Sequence, residues 1–190
     1  LIVGNSPHRR TFNVYYIDAE DVWRCTSSGL LHDANNARRG ARRWNEVSTG
    51  RPYISFVVTA RNDDHGGNLL RRMQVFGTGL LKQARMHNLS AELILVEWNP
   101  PSHKLSLSQA LSWPTEETPC IVRVIKVPYE LHRRFRHSDK LPLFQMIAKN
   151  VGIRRAYGQF ILATNVDILF SDELIRFLAS GCLRPRILYR

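Results

Sequence analysis

Hydrophobic and polar residues change rhythm along this chain at about residue 52. Upstream, clusters of Asp, Asn, Ser and Arg surround isolated aromatics at Phe12, Tyr15, Tyr16, Trp23 and Trp44, and no period is sustained. A short strand-like piece over 12–17 is the one regular feature expected there, so residues 1–52 read as an N-terminal extension packed onto the domain downstream. From residue 53 the pattern becomes regular. Residues 53–59 form a β-rich apolar run suited to a buried strand. After a polar turn holding Asp63, Asp64, Gly66 and Gly67, apolar residues recur at three- and four-residue spacing: Leu69, Leu70, Met73, Phe76, Leu80, Leu81 and Ala84. That period predicts an amphipathic helix ending near Asn88, with Gly77 and Gly79 weakening its middle.

Further strands are predicted at 93–96, closed by Pro100 and Pro101; at 121–127, stopped by Pro128; at 160–164; and at 187–189. Between them fall a short helix around 105–111 and a longer one opening at Pro142, carrying Leu143, Phe144, Ile147, Val151 and Ala156 as far as Gly158. A last helix is capped by Ser171, has Asp172 and Glu173 in its first turn, and ends at Gly181. The stretch 129–140 is basic and reads as a loop. Strand and helix alternate throughout, the signature of βα units on a mostly parallel sheet with helices on both faces. The expected fold is a Rossmann-like, three-layer α/β/α sandwich over 53–190.

Charge adds a partner class. Lys and Arg outnumber Asp and Glu by 27 to 16, and the formal charge of +11 favours phosphates, nucleic acid or an anionic membrane face. Basic residues cluster at Arg38, Arg39, Arg42 and Arg43, and again at His132, Arg133, Arg134, Arg136 and His137. Each cluster reads either as a solvated face or as an anion site. Cys25, Cys120 and Cys182 are widely spaced and form no CxxC pair, which argues against a disulfide framework or zinc site and for a reducing, cytoplasmic setting. No stretch approaches the roughly 18 apolar residues of a membrane span. Leu1 in place of Met, and Arg190 directly after an apolar run, read as ends internal to a longer chain.

In parallel sheets ligands bind beyond the carboxyl ends of the strands, so the polar residues there carry the chemistry. After the first main strand come Arg61, Asn62, Asp63 and Asp64, whose carboxylates suit ribose hydroxyls or a base imide; capping of the next helix by Asp63 or Asp64 is the competing role. Glu97 closes the second strand, as a nucleoside contact or as a plain surface residue, and Trp98 beside it reads as packing. Asp167 stands between the apolar runs 160–163 and 168–170, where a carboxylate is costly to bury unless paired or metal-bound. With Asn165 two residues earlier it offers oxygens suited to Mn or Mg bridging a diphosphate, or it caps a strand-to-helix turn. No GxGxxG follows the first strand and no P-loop lysine pattern occurs, which weakens a dehydrogenase or ATPase assignment.

Three stretches together resemble the N-terminal half of the inverting glycosyltransferase family two and its GT-A relatives. "ISFVVTARND" is similar to the family's opening strand and nucleotide loop, and "AELILVEWNPP" to its second strand. "AKNVGIRRAYGQFILATNVDILFSDELI" resembles the region in which an Asn, a Gly, an Ala and a second Gly (here Asn150, Gly152, Ala156 and Gly158) precede a strand and a DxD metal motif. The resemblance implies a GT-A like fold cut short at its C-terminus, with the acceptor half missing. It implies that Thr59, Ala60, Arg61 and Asp63 line a nucleotide pocket, that Glu97 contacts the nucleoside, and that Lys149 and Asn150 lie near the nucleotide. Asn165 and Asp167 would match the ends of DxD, with Asp167 the ligand to Mn2+ or Mg2+. The catalytic base would lie beyond Arg190. This chain departs from the pattern at Trp98, which replaces the second Asp of the usual pair, and at Asn165, which replaces the first Asp of DxD and removes a negative charge from the metal site.

The expected function is therefore binding of a nucleoside-diphosphate sugar and transfer of the sugar to an acceptor hydroxyl, with peripheral membrane association through the basic clusters. Trp98 and Asn165 keep open a non-catalytic nucleotide-sugar-binding module. The charge keeps open a nucleic-acid-binding domain, against which stands the lack of RNP aromatics or a zinc pattern.

Overall fold

A chain segment can run Val, Ile and Leu without alternation when both its faces are buried, as in a parallel sheet. The computed structural model, which describes residues 12–16, 50–113 and 117–189, has five strands: β1 (Phe12–Tyr16), β2 (Ile54–Ala60), β3 (Ala91–Trp98), β4 (Cys120–Val127) and β5 (Phe160–Ala163). All pairings are parallel, in the order β1-β4-β3-β2-β5. The sheet grows from β2 through β3 to β4, and the chain then returns to lay β5 on the other side of β2. The order reverses at the β2–β5 boundary, the kind of place where open α/β sheets hold ligands.

The helices are α1 (Leu69–Met86), α2 (Leu107–Ala110), α3 (Tyr129–His132), α4 (Gln145–Arg154) and α5 (Asp172–Ala179). Phe56 and Val58 of β2, Leu93 and Leu95 of β3, and Val122 and Val124 of β4 meet Met73, Phe76 and Leu80 of α1, Leu107 of α2, and Ile175 and Leu178 of α5. On the opposite face Val57, Ile94, Val96, Trp98 and Ile125 meet Leu131 of α3 and Ala148 and Val151 of α4. The result is the expected Rossmann-like α/β/α sandwich, with a sheet that is wholly parallel.

Two glycines set the spacing of the second face. A methyl group on Gly152 of α4 would fall 2.5 Å from Val57 Cγ1 and 3.1 Å from Val96 Cγ2, so the helix lies closer to the sheet than any side chain would allow. At Gly158, just before β5, a methyl would fall 2.5 Å from the amide nitrogen of Ser55 and 2.8 Å from the carbonyl carbon of Ile54. That close approach lets the Gly158 amide donate to Ser55 Oγ at 2.8 Å. Ser55 in turn donates to Glu92 Oε1 at 2.6 Å, while Glu92 Oε2 pairs with Arg123 at 2.8 Å. Arg123 also donates to the Arg155 carbonyl at 2.8 Å and stacks on the Tyr157 ring.

The structure revises several elements. Residues 187–189 are irregular and exposed, not a strand; their apolar side chains join no ladder, and Tyr189 instead accepts the Arg184 amide through its hydroxyl at 2.8 Å. The helix expected from Pro142 begins at Gln145, with Phe144 in a non-helical conformation at its N-terminus, and the Pro142 carbonyl accepts from Asn99 Nδ2 at 3.1 Å. The basic stretch 129–140 contains α3 rather than only loop. β3 extends past 93–96 to take in Glu92 and Glu97, both fully buried. The strand-like piece near residues 12–17 is β1, an edge strand beside β4. α1 runs unbroken through Gly77 and Gly79. Cys120 and Cys182 are free thiols, and Cys25 lies outside the described residues.

Glycine substitutions separate packing from propensity. Gly158→Ala is expected to lower stability by about 2–3 kcal/mol through overpacking against backbone. Gly79→Ala, where a methyl meets nothing within 4 Å, should raise it by roughly 0.5–1 kcal/mol. Urea melts of the two variants check both signs.

Candidate functional site

At the carboxyl end of β2 the chain leaves the sheet through Arg61, Asn62, Asp63 and Asp64. Arg61 donates to the Asn99 carbonyl at 2.6 Å and pairs with Asp63 at 2.9 Å. Asn62, buried, donates to the Leu105 carbonyl at 2.8 Å. Asp63 accepts the His65 amide, and Asp64 accepts the Leu69 amide at 2.9 Å, so Asp64 caps α1. Glu97 closes β3 with its side chain fully buried, and its Oε1 accepts the Leu107 amide at 2.8 Å. Its other oxygen has no partner among the described residues. Burial pushes the Glu97 carboxyl above its ordinary range, against the opposing pull of the Leu107 amide and Lys126. Arg61, Asn62 and Glu97 thus all hold the segment from Asn99 to Leu107 against the strand ends. Ala60 is buried in the core beneath them. Trp98 is a packing residue, as expected: its indole donates to His132 Nδ1 at 2.9 Å, and its ring meets Phe135 and Phe144.

A second group gathers at the β2–β5 boundary. Beyond the pairing of Val57 with Ala163, the chain after β5 presents Asn165 and Asp167 to solvent. Asn165 Oδ1 accepts from Lys149 at 2.9 Å and from Gln145 at 3.1 Å, both on α4. Asp167 pairs with Arg72 of α1 at 3.0 Å. Arg72 is itself fixed by the Gly67 carbonyl at 3.1 Å and the His65 carbonyl at 2.5 Å, so one guanidinium joins the loop after β2 to the loop after β5. Thr59, two residues past Val57 on β2, shares its α4-facing side. Its hydroxyl is buried with no partner among the described residues. Asn150 is exposed on α4 and makes no described hydrogen bond to this group.

The structure therefore brings Lys149, Asn165, Asp167 and Thr59 to one boundary, beside the loop carrying Arg61 and Asp63. It buries Ala60 and Glu97 away from solvent. Arg72 and Gln145 were missed by sequence reasoning. Each lies on the outer side of a helix, and nothing in its own helix marks its partner on a distant loop.

The implied Mn or Mg does not fit these side chains. The Asp167 carboxylate is engaged by a guanidinium, and the Asn165 oxygen by an ammonium, so cations already occupy the oxygens a metal would need. Among the described residues no three His, Cys, Asp or Glu side chains gather closely enough to hold an ion. Asp172 and Glu173 belong to α5, as expected for helix N-terminal residues. Ser171 caps the helix, accepting the Leu174 amide at 3.2 Å. Hydrogen bonds from His87 and then Arg176 hold the Asp172 carboxyl below its usual range, and its own backbone amide with Ser171 does the same for Glu173.

Comparison with protein-family models, curated proteins and solved structures yields no match to this chain. Among the described residues no helix is long and apolar enough to cross a membrane.

The buried Glu97 has a signature in pH. Its folded-state carboxyl titrates above the unfolded one, so its burial costs stability as pH rises through the carboxylate range, and the cost levels off above its raised value. Glu97→Gln keeps an acceptor for Leu107 and cannot ionise. Relative to the parent protein, the variant should gain melting temperature as pH rises from about 4 to 7; a constant difference across thermal melts over that range would refute the assignment.

Proposed function

We propose that this protein binds a nucleoside-diphosphate sugar at the carboxyl edge of its sheet and acts in transfer of the sugar to an acceptor hydroxyl. The observation that supports this most is the β2–β5 boundary. There a parallel sheet reverses its order, and Lys149 and Arg72 are held by Asn165 and Asp167 where the chain leaves β5. Phosphate oxygens accept hydrogen bonds, and ammonium, guanidinium and hydroxyl groups supply them. The nucleoside would lie over the loop of Arg61 and Asp63, whose paired guanidinium and carboxylate are 19% and 22% exposed.

In displacement at the anomeric carbon the diphosphate leaves with growing negative charge. Donors already fixed by protein contacts stabilise that charge at little cost in reorganisation. Arg72, anchored by two backbone carbonyls, is such a donor. Together these residues serve donor binding and departure of the leaving group.

Calorimetric titration of the chain with a panel of nucleoside diphosphates and their sugar conjugates tests the proposal. One nucleobase should bind preferentially, and Arg61→Ala should weaken that ligand about tenfold, the scale of one lost charge-assisted hydrogen bond. Absence of binding by every nucleotide would sink it. Binding without release of nucleoside diphosphate in the presence of acceptor sugars would instead identify a non-catalytic module.

A further inference from the structure

We infer that the anion site at the β2–β5 boundary works without a divalent metal, with Lys149 and Arg72 supplying the positive charge that neutralises a diphosphate. The inference rests on the nucleotide assignment above and specifies how the phosphates are held.

Charge count comes first. Lys149 and Arg72 bring two positive charges to Asn165 and Asp167, and Asp167 is the one carboxylate among these four. A carboxylate at position 165 would neutralise Lys149. The amide leaves the cluster with an uncompensated positive charge, which repels a divalent ion and attracts a diphosphate.

Valence comes second. An ammonium only donates, so whichever way the amide is drawn, the Asn165 oxygen must face Lys149. A metal would have to compete with Lys149 and Gln145 for that oxygen, and with Arg72 for the Asp167 carboxylate. A phosphate displaces none of these contacts. Lys149 has three N–H donors, and one serves Asn165 at 2.9 Å. Arg72 has five, and its described bonds to Gly67, His65 and Asp167 use three of them.

Third is the buried hydroxyl. Thr59 is only 6% exposed, and its Oγ1 has no partner among the described residues. Buried polar atoms are rarely left so. Thr59 stands two residues beyond the last β2–β5 pair, level with Asn165 across the boundary and on the side of α4. That hydroxyl is a further donor at the strand ends, alongside the spare N–H groups of Lys149 and Arg72.

The experiment titrates the whole chain with inorganic pyrophosphate, the preferred nucleoside diphosphate and the matching nucleoside, each in EDTA and in Mn2+. The inference predicts that pyrophosphate and the diphosphate bind in EDTA and that Mn2+ changes their affinity less than twofold. Lys149→Gln should weaken both about tenfold and leave the nucleoside unchanged, while Lys149→Arg retains most of the affinity. Asn165→Asp should also weaken metal-free binding and make it responsive to Mn2+, with melting curves showing that each variant is folded. If diphosphate binds the parent protein only with Mn2+, or at least tenfold tighter with it, the inference is overturned and the nucleotide assignment stands. If pyrophosphate binds through Lys149 but no nucleotide binds more tightly, the anion site stands and the nucleotide assignment falls. If neither binds in either condition, both fall.

Discussion

The buried carboxylate of Glu92 is the contact on which the geometry of the whole sheet rests. It is fully shielded from water, and around it converge Ser55 of β2, Arg123 of β4 and the amides of Tyr157 and Gly158 ahead of β5. An ion moved into such surroundings is tolerated only when its lone pairs are all engaged and an opposite charge is at hand. Glu92 has its Oε1 engaged by Ser55 and the two amides and its Oε2 by the Arg123 charge, and so draws together strands β2, β3 and β4 and the turn that launches β5. That turn sets where β5 starts against β2, and hence where Asn165 and Asp167 emerge at the far end. One buried charge at the amino edge thus fixes the register of the polar residues at the carboxyl edge.

The carboxyl edge divides its polar residues between two tasks. Arg61, Asn62 and Glu97 hold the segment after β3 against the strand ends, and their polar atoms are largely spent on backbone partners. Lys149 and Arg72, held by Asn165 and Asp167, keep N–H donors in reserve. The first set makes the floor rigid; the second leaves charged donors at its rim. The charge of the whole chain says little about this division, which turns on Lys149 and Arg72, held by residues that closely follow β5.

Much of the fold was legible because burial imposes a period. The run around 53–59 is apolar on both faces, 121–127 alternates apolar residues with Arg123 and Lys126, and α1 repeats at three and four residues, so sheet, layers and helix order came out of the pattern. β1 was harder, since five residues inside a stretch without a sustained sequence period carry little signal. Residues 187–189 misled because an apolar triplet without a neighbouring strand to pair with is no strand at all. Asp167 was found because it interrupts an apolar run. Glu92 and Arg123 interrupt such runs in the same way and were passed over because neither stands at the carboxyl end of its strand, where ligands bind. The spacing of Gly152, Ala156 and Gly158, read through a family resemblance, has a steric cause at the two glycines. Arg72 and Gln145 were illegible because contacts between a helix surface and a remote loop leave no trace in local pattern.

Gly152 has a consequence that reaches beyond packing. It lies three residues after Lys149, less than one helical turn away, so the helix surface pressed on the sheet and the ammonium stretched toward Asn165 move as one rigid piece. The missing methyl group acts as a gauge: it sets how far the helix stands off from Val57 and Val96, and with that the height at which the lysine meets the strand end. The height of the lysine above the strand end is thus calibrated by an atom that is not there, on the sheet-facing side of the helix.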